Sequence, residues 1–347
     1  MGGTWAKWGK TLLVGLAGAL IAVWLGIPVP WMIGPVLATA LLRVAGGDLG
    51  APLAARSFGQ WAIGTGLGLY FTPVVLGELL HYAPAILIGA AFALCLGATS
   101  GRVLARLAGI DAASGYFAAM PGGASEMANL AERYGARVDR VAAAHSLRIV
   151  LVVLIVPAAF VLSGVHGLDA RGLAHHGSSL PGLLALALLT AAGALAWRRL
   201  GQPNPWVVGP LMVAAAITGL SVELSGLPPA LSAAGQLCIG VSLGCRFTRE
   251  FFHTAPRFIL AVVITTLGML TVAALFAALL GWLAGMPLAP VVLGLAPGGI
   301  AEMCITAQAL QLGVPLVTSF HVVRMLTVVI LSGPLYGRLQ RRGSTAS

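Results

Sequence analysis

The chain has 347 residues, 59% of them hydrophobic and only 9% charged, with 20 Lys and Arg against 10 Asp and Glu for a net charge of +10. A soluble globule of this size needs a charged coat that so few ionisable residues cannot supply, whereas bilayer hydrocarbon needs none. The basic excess falls between apolar runs, where it orients membrane helices, so nucleic acid is not an expected partner and the lipid bilayer is.

In chain order, Lys7 and Lys10 precede an apolar run from Thr11 to Leu25, which reads as a retained first membrane helix over 11–26 rather than a cleaved signal. Further helices are expected over 31–45, 58–73, 82–101 and 141–163, then over 180–197, 205–220, 233–247, 257–283 and 317–336. The segments 112–133 and 290–313 carry Pro-Gly-Gly, a Glu and other polar residues. They are too polar to face lipid and read as re-entrant or broken helices. Cys95, Cys238, Cys245 and Cys304 lie inside apolar segments without a C-x-x-C pair and read as small hydrophobes. His166, His175 and His176 stand in a linker over 164–179, read as a solvated loop rather than a metal site. Gly64-Thr-Gly-Leu-Gly68 has no preceding strand and no following Lys, so helix packing explains it better than a phosphate loop.

Five blocks recur in one register. Ile27-Pro-Val-Pro-Trp-Met-Ile-Gly-Pro35 returns as Gln202-Pro-Asn-Pro-Trp-Val-Val-Gly-Pro210, offset by 175. Gly59-Gln-Trp-Ala-Ile-Gly64, Phe71-Thr72, Met120-Pro-Gly-Gly-Ala-Ser-Glu-Met127 and His145-Ser-Leu-Arg148 return offset by 176. The chain therefore reads as an all-α, polytopic membrane protein made of two repeats, 1–163 and 180–347, of about five transmembrane helices each plus one broken helix each. With the N-terminus in the cytoplasm and five spans per copy, 17 of the 20 Lys and Arg fall inside, Arg171 falls outside, and Arg148 and Arg324 lie within spans. That asymmetry fits the positive-inside rule, and an odd number of spans makes the repeats inverted. Both termini are then cytoplasmic.

Each copy sets Pro-Gly-Gly-x-x-Glu-Met at a helix start, where Pro suits the first turn and exposed N–H groups favour an anion. Gly122, Gly123, Gly298 and Gly299 are candidate backbone donors. Glu126 and Glu302 are candidate carriers of a cation or proton, since an intramembrane carboxylate is costly unless paired or functional. His145 with Arg148, and His321 with Arg324, are three apart and share one helix face. Arg can grip a carboxylate or phosphate, and His or Glu can carry a coupled proton. The structural alternative pairs Glu126 with Arg148 and Glu302 with Arg324 simply to hold each repeat together. The Pro-x-Pro-Trp segments read either as interfacial bends, with Trp31 and Trp206 in the aromatic belt, or as a second unwound element. Gln60 and Gln236 are expected to cross-link helices.

The Pro-Trp-Met-x-Gly-Pro segment, the block at 120–131 and the His-x-x-Arg-Ile-Val run at 145–150 resemble the bacterial AbrB family of duplicated membrane proteins, across nearly the whole chain. The small, soluble DNA-binding regulator of the same name is a different protein. The resemblance brings two labels, ammonia monooxygenase and regulator of gene expression. The first needs a metal or flavin, for which no ligand set is visible, and no cofactor is expected; the second needs a DNA-binding or signalling domain, for which no soluble stretch is long enough. The second copy departs from the first, with Ala296 for Met120 and Ala301 for Ser125. The expected function is a secondary transporter of a small, anionic solute, not an enzyme and without metal. The alternatives are a membrane sensor or regulator and, third, the oxygenase; a homo-oligomer is open.

Overall fold

The computed structural model describes residues 2–165, 167, 179–250 and 256–344. Among them every regular element is a helix. The linker residues Arg171, His166, His175 and His176 lie outside the described residues.

The first half runs α1 (Gly2–Trp24), α2 (Pro30–Val44), α3 (Leu53–Gly68), α4 (Pro73–His81), α5 (Ala83–Ala108), α6 (Ala112–Ala119), α7 (Ala124–Arg133) and α8 (Val138–Leu162). The second runs α9 (Leu180–Arg199), α10 (Pro205–Gly219), α11 (Pro229–Gly244), α12 (Pro256–Ala284), α13 (Leu288–Leu295), α14 (Ile300–Ala309) and α15 (Val314–Ser344). Proline starts many of them: its fixed φ suits the first turn and its missing N–H costs nothing there. Helix α2 and helix α10 follow a single left-handed residue, Val29 at φ 51° and Asn204 at φ 48°. The Pro-x-Pro segments are thus one-residue reversals after which the helix restarts. Asn tolerates that conformation, whereas β-branched Val does not ordinarily adopt it.

Among the described residues six helices are long and apolar enough to cross a bilayer: α1, α5, α8, α9, α12 and α15. The chain is a multi-pass membrane protein. Trp5 and Trp24 are 74% and 83% exposed near the two ends of α1. Their separation of about 28 Å along the axis suits rings sitting at two bilayer interfaces. The expected spans at 31–45, 205–220 and 233–247 are helices of 15 to 16 residues, about 22–24 Å long and short of a ~30 Å hydrocarbon core. The expected helix at 58–73 is instead α3, ending at Gly68, followed by an 88° bend into α4 at Pro73.

The helices pack into two compact units. The first takes Met1–Leu80, Val153–Thr254 and Ala301–Pro315; the second takes His81–Val152, Ala255–Ile300 and Leu316–Ser347. Each unit draws on both sequence copies. In the first, α1 packs on α2, α2 on α11, α11 on α3, α3 on α10 and α10 on α9, with α1 also touching α11 and α3 touching α9. Exchanging α1, α2 and α3 for α9, α10 and α11 maps this packing scheme onto itself.

Glycine makes that packing possible. A Cβ on Gly18 would lie 2.6 Å from the Gly34 carbonyl oxygen, and one on Gly209 would lie 2.6 Å from that of Gly193, at the same pair of positions 175 residues on. A Cβ on Gly59 would lie 2.5 Å from the Gly235 carbonyl oxygen. Between apolar helices in lipid, where no hydrophobic drive exists, such backbone approach is what holds a bundle. Gln236 bonds within its own helix, to Ser232 at 3.4 Å, rather than across to another.

In the second unit α5 packs on α6 and α12, α6 on α7, and α12 on α13. A Cβ on Gly115 would lie 2.6 Å from the Gly101 carbonyl oxygen, so α5 and α6 touch backbone to backbone. This close approach places the short helix α6, whose end forms the site.

Candidate functional site

Pro121 and Pro297 create the breaks. A residue before proline is driven out of the helical region, and Met120 (φ −57°, ψ 131°) and Ala296 (φ −56°, ψ 137°) are accordingly extended. The chain leaves α6 and α13 at these points and resumes as α7 and α14 after Gly123 and Gly299. Segments 112–133 and 290–313 are therefore broken helices, with pieces of 8 and 10 residues.

The last carbonyls of a helix have no partner within it. In α6 these belong to Phe117, Ala118 and Ala119, and α8 supplies their donors. His145 Nε2 donates to Phe117 O at 3.0 Å, and Arg148 donates to Ala119 O at 3.0 Å and Ala118 O at 3.4 Å. The guanidinium also complements the negative end of the α6 dipole. On α15, His321 Nε2 donates to Leu293 O at 3.1 Å, and Arg324 donates to Ala296 O at 2.6 Å and Gly298 O at 2.7 Å. All four side chains are buried.

These contacts also fix the histidine protons. Arg148 donates to His145 Nδ1 at 3.0 Å and Arg324 to His321 Nδ1 at 2.8 Å. A guanidinium can only donate and a carbonyl can only accept. Each imidazole is therefore neutral, with hydrogen on Nε2 and its Nδ1 lone pair occupied.

Glu126 sits at the third position of α7, with Gly123 as the N-cap. Its carboxylate curls back over the start of its own helix, so that a Cβ on Gly123 would collide with Glu126 Oε2. The carboxylate stands where an external anion would meet the helix N-terminus, the place that the acidic residue of a capping box takes. Gly122 and Gly123 are half-buried beside it, as are Gly298 and Gly299 at the second break. Glu302 occupies the same third position of α14 and is buried at 5% exposure, where Glu126 is half-buried. Glu302 belongs to the first compact unit, whereas Glu126 and both His–Arg pairs belong to the second.

The two guanidiniums act on each other: Arg324 lies within electrostatic range of Arg148. Among the described residues Arg148 has no ion pair, and its Nε has no hydrogen-bond partner. Beside it stands an aromatic cluster absent from the expected site. Tyr134 lies 5.5 Å from both Phe117 and Tyr336, and the Tyr116 hydroxyl donates to Ser332 O at 3.0 Å. Tyr is rare in this chain, five in 347, and that scarcity was the available signal.

Residues 31–340 match the family described as "Transition state regulatory protein AbrB". The chain belongs to the AbrB family. Among its AbrB relatives, YhjN of Bacillus subtilis (strain 168) is 28% identical over 350 residues, covering 94% of this chain and 91% of YhjN. The Escherichia coli (strain K12) protein named "Putative regulator AbrB" is 23% identical over 336 residues, covering 96% of each. The long apolar helices make this the membrane type of AbrB protein, as distinct from the soluble one.

Proposed function

We propose that this AbrB-family protein is a secondary transporter of a small anionic solute in the bacterial inner membrane, and not an enzyme. The observation that carries the reading is Arg148, a buried cation beside a helix break with no ion pair among the described residues. A buried charge is costly unless it is compensated, and in a membrane protein it marks a substrate or ion path. Arg148 is only partly compensated, by carbonyl dipoles, and the like charge of Arg324 raises the cost. An anion would relieve both.

Broken helices with buried charge at equivalent positions of two copies are the usual construction of such transporters. Among the described residues three long helices fall in each half, α1, α5 and α8 against α9, α12 and α15. Three is odd, as is the five of the sequence reading, and either number supports opposite orientation of the copies. Under the positive-inside rule both termini are then cytoplasmic. On this reading Glu126 competes with substrate for the N-terminus of α7, and a proton on Glu126 frees that site, coupling the two.

The test is charge displacement on a solid-supported membrane, with purified protein in liposomes challenged by jumps of acetate, succinate, citrate and phosphate at pH 5.5 to 8. Saturable currents with a pH dependence are expected for at least one anion. Glu126→Gln keeps the capping geometry, which accepts Glu or Gln alike, but cannot release a proton. It should therefore fold normally and lose the pH dependence; full currents with unchanged pH dependence would contradict the coupling role. A second reading, a membrane sensor, draws on the regulator name of the Escherichia coli relative. It predicts saturable anion binding with no current.

A further inference from the structure

A groove of about 640 Å³ runs along the first compact unit. Leu184, Leu188 and Ala191 of α9 form one wall, and Phe58 and Trp61 of α3 form the other. Leu184 and Leu188 are exposed, and Trp61 Nε1 ties the walls together by donating to Thr190 Oγ1 at 3.1 Å. Arg198 closes one end, its guanidinium 5.9 Å from the centre of the Trp206 ring, with Arg199 next to it. From Leu184 to Arg198 the groove follows α9 for about 21 Å. That exceeds the roughly 15 Å depth of one leaflet.

The groove is thus apolar along its length and cationic at one end, the pattern of a lipid with an anionic headgroup. The cation is not inherited from the repeat. The first-copy counterparts of Arg198 and Arg199, 175 residues earlier, are Val23 and Trp24. If the copies are inverted, those counterparts lie at the opposite face, so the charge stands only on the side with the other basic residues, where anionic lipid is found. A second copy of the chain fits less well. Two parallel chains related by a two-fold axis along this groove would bring two Arg198–Arg199 pairs to the same depth in one interface, where like charges repel.

We propose that this groove binds one anionic phospholipid, its phosphate on Arg198 and an acyl chain between α3 and α9. Trp206 holds the guanidinium in place through its ring face, leaving the N–H fork for phosphate.

The test is native mass spectrometry of the full-length protein in detergent, titrated with phosphatidylglycerol or phosphatidylcholine of the same chains. The wild type should retain one phosphatidylglycerol in preference to phosphatidylcholine. Arg198→Gln should lower that preference about tenfold and Arg198→Lys should restore most of it. Leu188→Trp, a change at an exposed position that fills the groove, should remove both lipids while the protein still elutes as a folded species of unchanged mass. Unchanged preference in Arg198→Gln, or unchanged lipid content in Leu188→Trp, would overturn the proposal. So would displacement of the lipid by excess inorganic phosphate alone, which would reduce the site to a free-anion site. A change of oligomeric mass in Leu188→Trp with lipid content intact would assign the groove to a second copy instead.

Discussion

Arg148 and Arg324 stand at equivalent positions of the two copies but grip different atoms. Arg148 holds Ala118 and Ala119, whose counterparts are Gly294 and Leu295, yet Arg324 reaches past those to Ala296 and Gly298. The second guanidinium therefore reaches into the break itself, and the two half-sites are not interchangeable. Arg148→Gln should leave carbonyls of α6 unsatisfied, at a cost of about 1–3 kcal/mol for each buried group lost, and should abolish anion-driven current. Arg148→Lys should recover little, because an ammonium cannot span two carbonyls as a planar fork does; thermal unfolding and current measured on both variants check this. Outside the membrane, a hydrogen bond from Lys7 holds the Asp48 carboxyl below the ordinary carboxylate range. A depressed carboxyl aids folding above its unfolded value, and that aid fades as pH falls through the folded one. Asp48→Asn should therefore lower the unfolding midpoint slightly at pH 7 and not at all near pH 2. The three-residue spacing of His and Arg was legible from the chain, and so was their shared helix face. Their partners were not: the structural alternative paired the arginines with Glu126 and Glu302, while the observed acceptors include backbone carbonyls, which carry no sequence signature.

At the scale of elements, the breaks were the most legible feature, because Pro-Gly-Gly both ends one helix and begins another. The short helices were the least. Hydropathy over Pro30–Val44 or Pro229–Gly244 resembles that of a span, but length is set by where Pro and Gly punctuate the chain, and 15 or 16 residues fall short of a bilayer. The right-angle turn between α3 and α4 was hidden because Tyr70-Phe-Thr72 is apolar enough to continue a helix, and Pro73 acts only by starting the next one. Glycine composition foretold close packing without saying which helices meet. Gly59→Val tests that packing: its branches would meet the Gly235 carbonyl and Ile239 Cγ1, the latter 2.9 Å from the added Cβ. A destabilisation of about 1–3 kcal/mol is expected from such overpacking, read as a lower unfolding temperature in detergent. Gly77→Ala, where nothing lies within 4 Å of the added Cβ, should be nearly neutral.

For the molecule as a whole, the sequence copies and the compact units are different divisions of the same chain. The copies run end to end, whereas each unit gathers pieces of both. That interleaving could not be read from the repeat, because it depends on which glycine-lined faces meet, α2 with α11 and α3 with α10. It bears on function because both His–Arg clamps fall in one unit, where their charges act on each other. The proposed transport function rests on the copies entering the membrane from opposite sides.

Opposite orientation is therefore the claim to test first. Ala45 and its counterpart Leu220, 175 residues later, are both exposed at helix ends. Ala45→Cys and Leu220→Cys, each in a background without the four native cysteines, would be probed on intact cells with a membrane-impermeant thiol reagent. Inverted copies predict labelling of one of the two positions from outside and protection of the other until the membrane is permeabilised: 220 labelled if α2 and α10 cross the bilayer, 45 labelled if only the long helices do. Labelling of both positions from the same side would make the copies parallel and contradict the transporter reading built on them.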